Sequence, residues 1–395
     1  MDSRHPFLTF TFDTATLDAR TWLLLGEGMS KCQHLAGSPL KPRVAQDFLT
    51  IYLAKGVQAT TAIEGNTLSD QQVLEIVRHG SADVPPSREY LEREVQNVVM
   101  AIQSIDDSLR DGKALPIDRP RLCALNRQIL DGIPDRPEVV PGQLREHDVV
   151  AGNYRAPHWS EVPGLVERLS AWMRKLRAPI TATSSSEDRF VNAMLTAVLA
   201  HLYIAWIHPF GNGNGRLARL VEVQILSESG VVPIVSTNLL SDHYNKTRNA
   251  YYLALDAAQD DVREFIRYAV QGFVDELREQ IAVVRRESLT IHWESWVYEV
   301  FRSMPSTAAR DRQRELALAL PRNGSRITPE QATELTPSLA RKYATTGDRT
   351  PARDMNDLAK LGLVDKVSPR AYAARHDVIE AFMPPVANLQ QDDEE

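Results

Sequence analysis

His208-Pro209-Phe210-Gly211-Asn212-Gly213-Asn214-Gly215-Arg216 stands between two long helical segments of a 395-residue chain. On its N-terminal side, Asp188 to Ile207 is nearly continuous in apolar residues. A helix that is apolar all round lies at the centre of its fold. It must end at His208, because Pro209 disfavours helical geometry in the residue before it. On the C-terminal side, Arg216 to Ser229 reads as a second helix, closed by Gly230. The first backbone N–H groups of that second helix have no internal partners, and the helix dipole favours an anion in front of them. Gly213 and Gly215 lack a β-carbon, so a phosphate can approach the backbone closely. Arg216 and Arg219 add charge, and an arginine fork grips phosphate oxygens at two points. His208, at the helix tip, is placed to take a proton from a hydroxyl that attacks phosphorus. Two other glycine motifs fail. A P-loop needs Lys followed by Ser or Thr, where this chain has Arg216-Leu217. A dinucleotide-binding turn follows a strand, where this chain has a helix.

Outward from this loop the pattern is mainly α. Apolar residues recur at helical spacing over Ala45–Ile63, Arg88–Asp106, Pro116–Gly132 and from Ser160 to about Leu176. Gly65-Asn66 suits a left-handed cap after the first of these. Thr183 to Ser186 reads as a polar loop ending in a helix N-cap. Asp148–Pro157 reads as a β-hairpin turning at Gly152-Asn153. Beyond Arg285-Arg286-Glu287 the composition shifts. Thr328-Pro329-Glu330-Gln331 is a capping box, and Thr336-Pro337 and Thr350-Pro351 open two further helices. Leu363–Val367, Ser368-Pro369 and Arg370–Ala373 then read as strand, turn, strand, which makes a winged-helix arrangement.

The composition, 43% hydrophobic and 25% charged, is that of a globular protein. The net charge of −7 leaves no global basic field, so any nucleic-acid contact must be a local patch. Cys32 and Cys123 are too few for a disulfide framework, which points to a reducing, cytoplasmic location. The segment from Met1 to Pro6 is read as lacking a signal peptide. The longest apolar run, Ala193–Ile207, falls short of the ~20 residues of a membrane span, so no membrane insertion is expected.

The loop with Arg219 resembles the Fic family signature His-x-Phe-x-Asp/Glu-Gly-Asn-Gly-Arg-x-x-Arg, and the likeness extends over about Ser3–Gln280. Fic proteins are helical enzymes that mostly move AMP from ATP onto a Ser, Thr or Tyr hydroxyl of a target protein. The resemblance implies a Fic helical core at 116–285 with a small β-hairpin flap, preceded by an N-terminal helical region at 1–115. A winged-helix-like domain at 286–384 and an acidic disordered tail at 385–395 would follow. It implies His208 as general base and Phe210 as the anchor of the loop. Gly211, Gly213, Asn214, Gly215, Arg216 and Arg219 would hold the phosphates of ATP. Phosphorylating relatives carry Lys at the position of Gly215, so glycine favours nucleotidyl transfer. Tyr244, Tyr251 and Tyr252 fall where the family builds its nucleoside pocket, although neighbours such as Tyr251 and Tyr252 should not both face one pocket. His201 reads as a satisfied core histidine.

One position departs from the pattern. Asn212 stands where the family has the acidic Mg²⁺ ligand, and a carboxamide brings no charge. Weaker metal binding, a different donor (UTP, GTP or a phosphocholine donor) and loss of catalysis are the three consequences open. Thr60-Thr61-Ala62-Ile63-Glu64-Gly65-Asn66 resembles the family's inhibitory motif, in which the glutamate pairs with the second signature arginine, here Arg219. The implied protein is a self-inhibited adenylyltransferase that modifies a target protein or itself, and Fic proteins of this class often self-associate into homodimers. The alternative is a catalytically weak, nucleotide-binding regulator. Arg341, Lys342, Arg349, Arg353, Lys360, Lys366, Arg370 and Arg375 would give it a DNA contact along 328–376, partly offset by Asp348, Asp354, Asp357 and Asp365.

Overall fold

A computed structural model describes residues 5–113, 115–180, 184–321 and 325–379. Thr183 and the tail expected at 385–395 lie outside them. The chain divides into two compact units, Met1–Ala282 and Val283–Glu395. The first unit spans the expected N-terminal region and nearly all of the expected core.

That unit contains α1 (Ala19–Ala36), α2 (Pro42–Ile63), α3 (Asp70–His79), α4 (Glu89–Arg110), α5 (Arg119–Ile129), α6 (Val162–Arg177), α7 (Ser186–Ile207), α8 (Asn214–Glu228), α9 (Leu239–Lys246), α10 (Arg248–Ala257) and the start of α11 (Val262–Arg302). The hairpin β1 (Val150–Ala151) and β2 (Tyr154–Arg155) stands between α5 and α6, with Val150 opposite Arg155. Gly152 takes φ +60° at the first turn position, and Asn153 keeps a negative φ. That is the turn geometry for which glycine at the first central position is suited.

α7 is the central helix and packs most closely on α8. The Ser185 side chain caps its start by accepting from the Asp188 N–H, and Glu187 and Asp188 complement the dipole in the first turn. The helix is longer than the apolar run that marks it. By length and composition it could cross a membrane, but 83% of its most apolar window is buried inside the protein. α1 carries two glycines, Gly26 and Gly28, within its span. Gly28 is a contact point: a β-carbon there would come within 3.0 Å of the Phe190 ring on α7.

In the second unit, α12 (Ala308–Ala319), the single turn α13 (Pro329–Ala332), α14 (Pro337–Ala344) and α15 (Thr350–Lys360) precede β3 (Val364–Ser368) and β4 (Ala371–Ala374). Ile327 pairs with Tyr372 at the hairpin's edge. Thr328 and Gln331 form both bonds of the capping box. Trp293, Leu316, Leu339, Met355, Leu358 and Tyr372 make its core.

Candidate active site

The site begins with how α7 ends. Its last carbonyls have no partners within the helix and are buried, so each must find a donor elsewhere. His208 takes a left-handed conformation, φ 49° and ψ 60°, and its N–H closes on Ile204 O at 2.9 Å. Among the described residues only Phe10 shares a positive φ without being glycine. The Tyr154 hydroxyl of β2 donates to Trp206 O at 2.7 Å. Arg145, 3% exposed, donates to His208 O at 2.8 Å and to Ile207 O at 3.4 Å. The same guanidinium reaches His147 O at 2.9 Å and Pro157 O at 2.6 Å, at the two feet of the hairpin. One buried cation thus fastens the flap to the helix end that presents His208.

The His208 Nδ1 lies 3.3 Å from Ala205 O. A carbonyl can only accept, so this contact puts the ring proton on Nδ1 and leaves a lone pair on Nε2. Burial lowers the His208 pKa below 6.5, assisted by Arg145 and opposed by the Ala205 bond and Glu64. The ring is neutral at pH 7.

The glycine loop is braced from within. The Asn214 amide donates to Phe210 O at 2.8 Å and accepts from Phe210 N–H at 2.9 Å. Its side chain is therefore consumed in holding the loop and has only its backbone N–H for an anion. Phe210 is 1% exposed, buried as a loop anchor should be. Gly213, φ 79°, is the left-handed N-cap of α8. Gly211 faces Val139 and His147, within 3.0 Å and 3.3 Å of a β-carbon placed on it, rather than open space.

Gly215 faces Glu64. A β-carbon at Gly215 would sit 2.3 Å from Glu64 Oε1. The space expected for a phosphate beside α8's first turn thus holds this chain's own carboxylate. Glu64 Oε1 accepts from Arg219 Nη2 at 2.7 Å, and Arg219 also donates to Thr60 Oγ1 at 2.6 Å and Thr60 O at 3.0 Å. Arg219 is 1% exposed. Burial alone would raise the Glu64 carboxyl, but Arg219 and then Arg216 outweigh it and hold it below the usual carboxylate range. Glu64 lies at the C-terminal cap of α2, where Gly65 takes the left-handed conformation expected, φ 98°.

A cavity of about 550 Å³ opens above this pair, lined by His208, Gly215, Arg219, Glu64, the flap residues Ala151–Tyr154 and the α10 segment carrying Tyr251 and Tyr252. Both tyrosines line it, contrary to expectation: Tyr251 forms a buried wall while the half-exposed Tyr252 sits at the mouth. Tyr244 is outside the lining. It is fully buried and donates to Glu222 Oε1 at 2.8 Å. His201 is a core histidine, its Nε2 2.8 Å from the Tyr251 hydroxyl and its Nδ1 3.0 Å from Glu222 Oε1.

Arg216 also departs from its expected place. It is buried and pairs with Glu94 on α4, and its other nitrogen contacts Asn212 Oδ1 at 3.3 Å. Asn66 donates a second bond to Glu94, at 2.8 Å. Glu94 was a missed residue with a visible signal, an acid within the apolar stripe of Leu91, Val95 and Val98. Arg145 and Asp135 lie in irregular segments and gave none.

Where the resemblance implies a metal ligand, Asn212 Oδ1 already accepts from Gly213 N–H at 2.6 Å, and Asn212 Nδ2 donates to Asp135 Oδ2 at 2.5 Å. Among the described residues no group of three or more His, Cys, Asp or Glu converges as a metal site. Mg²⁺ held jointly with a nucleotide needs only one or two protein carboxylates, phosphates and water completing its shell. With the Asp135 carboxylate beside Asn212, the residues present fit such an ion.

Comparison with known proteins agrees with this geometry. Residues 116–226 match the model of the Fic/DOC family. The protein adenylyltransferase fic-1 of Caenorhabditis elegans is 28% identical over 259 residues, 65% of this chain and 46% of that protein. The protein adenylyltransferase Fic of Drosophila virilis is 25% identical over 257 residues, 64% of this chain and 47% of that one. The chain spans about half the length of these curated relatives. A Fic family protein from Desulfovibrio desulfuricans superimposes with a TM-score of 0.54 at 18% identity, over 91% of this chain and 97% of that one. A Fic-1 fragment from Caenorhabditis elegans gives 0.53 at 22% identity, over 68% and 74%. Residues 116–226 thus match the Fic/DOC family model, and the chain has the mostly helical fold of the solved Fic proteins.

Proposed function

We propose that the chain is a self-inhibited protein adenylyltransferase, which moves AMP from ATP to a Ser, Thr or Tyr hydroxyl of a target protein or of itself. The observation that carries this reading is the Glu64 carboxylate, lodged against Gly215 and paired with Arg219 on the floor of the cavity that His208 faces. An anion site built for phosphate is filled by an internal anion.

In the proposed reaction, His208 Nε2 takes the hydroxyl proton as the hydroxyl oxygen attacks the α-phosphorus. The bond from that phosphorus to the bridging oxygen of the β-phosphate breaks, and pyrophosphate leaves. The orphan N–H groups of α8's first turn stabilise the charge on the transferring group. Arg219, once Glu64 withdraws, holds the outer phosphates. A divalent cation held beside the glycine loop would neutralise charge on the departing pyrophosphate. The flap hairpin offers main-chain groups to an extended target segment. Label transfer from α-labelled ATP by Glu64→Gly protein, compared with Glu64→Gly/His208→Ala, tests the reading. Label in the first that vanishes in the second is expected, and equal label in both would sink it.

A second reading, a nucleotide-binding regulator that docks on DNA along 328–376, draws on the C-terminal unit. Asp354 points inward to Arg312, Gln313 and Tyr343, so it does not offset the exposed Arg349 and Arg353 beside it. Salt-sensitive duplex binding lost in Arg349→Ala/Arg353→Ala would support it.

A further inference from the structure

Asn212 offers a metal ion little. Its Oδ1 has two lone pairs, and both face donors: the Gly213 N–H at 2.6 Å and Arg216 Nη2 at 3.3 Å. Its Nδ2 is a donor and repels a cation. All three neighbours agree on the amide's orientation, so rotating it to free the oxygen would break each bond.

The carboxylate beside it is different. Asp135 is exposed, its Oδ1 accepts one backbone N–H, from Arg136 at 2.8 Å, and its Oδ2 accepts from Asn212. Lone pairs remain on both oxygens. Among the described residues, Asp135 has no cationic side chain within ion-pair distance. Nor is its position loose. Asn126 on α5 donates to Asn212 O at 2.9 Å and accepts from Gly142 N–H at 2.9 Å, so one side chain ties the glycine loop to the segment that follows α5. Val139, in the same segment, packs against Gly211.

We propose that Asp135 supplies the carboxylate ligand for the nucleotide-bound divalent cation in place of residue 212. The charge that this chain lacks on the glycine loop is delivered from the loop that follows α5. Asn212 then acts as a spacer that holds Asp135 against the glycine loop, and it leaves the Arg216–Glu94 pair undisturbed by a second acid. The ion is bound jointly by Asp135, the phosphates and water, with one protein carboxylate in the range a Mg²⁺ site requires.

The inference rests on the nucleotide reading above, and the test separates the two. ATP affinity is measured by calorimetry on Glu64→Gly/His208→Ala protein, which cannot turn over, in EDTA and in Mn²⁺. The gain in affinity from Mn²⁺ is the readout, and no activity is needed. Adding Asp135→Asn should leave affinity in EDTA unchanged and cut the Mn²⁺ gain by about ten- to a hundredfold. Adding Asn212→Asp to that variant should restore the gain, because the carboxylate is then returned across the same contact. A full gain in Asp135→Asn, or no gain in the parent while ATP still binds, overturns the ligand assignment alone. Failure of the parent to bind ATP in either medium overturns the nucleotide reading and this inference with it.

Discussion

Glu64→Gly should raise ATP affinity and transfer together, and the size of the effect follows from what the carboxylate touches. Glu64 makes one charged hydrogen bond to Arg219, at 2.7 Å. Such a bond contributes about 1.5–3 kcal/mol. The Glu64 side chain keeps 26% exposure, so solvent screening favours the lower half of that range. At ~1.4 kcal/mol per tenfold, freeing Arg219 gains about ten- to fortyfold in apparent ATP affinity. Sterics act in the same direction, since the carboxylate fills the space beside Gly215. Glu64→Gln separates the two effects: it removes the charge but keeps the volume, and should fall between the parent and Glu64→Gly. Glycine at 64 also loosens the end of α2 beside Gly65, at about 1 kcal/mol of stability. Calorimetry of ATP binding, label transfer and a denaturant midpoint on the three proteins make the assay. The same ATP affinity in all three would refute the clamp. The pH sign is fixed by the Glu64 carboxyl, which is depressed below 4.5. A depressed acid keeps its pair above that range and loses it only as pH falls through the folded value. The inhibition should therefore hold throughout neutral pH.

Three further outcomes are expected. Because burial lowers His208 below 6.5, transfer by Glu64→Gly protein should be flat above pH 7 and fall on acidification with a midpoint below 6.5; a midpoint at or above 6.5 contradicts a buried neutral base. Arg145→Gln strips donors from as many as four carbonyls, and at ~1–3 kcal/mol for each one left dry, with water relieving some, should cost about 3 kcal/mol. Its transfer rate should fall while ATP affinity in EDTA is kept, and a denaturant midpoint equal to the parent's would refute the capping account. Gly56→Ala puts a methyl 2.3 Å from the Asn238 β-carbon, so α2 must move, at about 1–3 kcal/mol. Gly164→Ala, with nothing within 4 Å, should instead stabilise by about 0.5–1 kcal/mol, and thermal melts of the pair compare the two.

What the sequence made legible divides along a physical line. α7 could be read because an apolar run, a proline and a glycine turn are local signals, and the hairpin because Gly152-Asn153 is one too. The capping box at Thr328 was local in the same sense. Glu64 and Arg219 are 155 residues apart, yet their pairing followed from a motif in which the two roles are linked. Arg216 shows where motif reading stops. Its charge suggested phosphate, but the side chain that meets it is set by α4 packing on α8, and Glu94 arrives there only once those helices are in contact. Tyr244 failed for the same reason, since its hydroxyl was claimed by Glu222 from α8 rather than by a ligand.

Arg145 and Asp135 mark the remaining limit, and they share a cause. Each lies in irregular backbone between α5 and the flap, where no period assigns a side chain a direction. Each is nonetheless fixed by polar groups that arise elsewhere: Arg145 by the orphan carbonyls at the end of α7, Asp135 by the side-chain amide that Asn212 presents from the glycine loop. The sequence announces those needs, because a helix stopped by proline must leave carbonyls open and an asparagine at an acidic position must leave a charge missing. It does not say which distant residue answers them. Deficits can therefore be read locally in this chain, whereas the residues that fill them are chosen by topology.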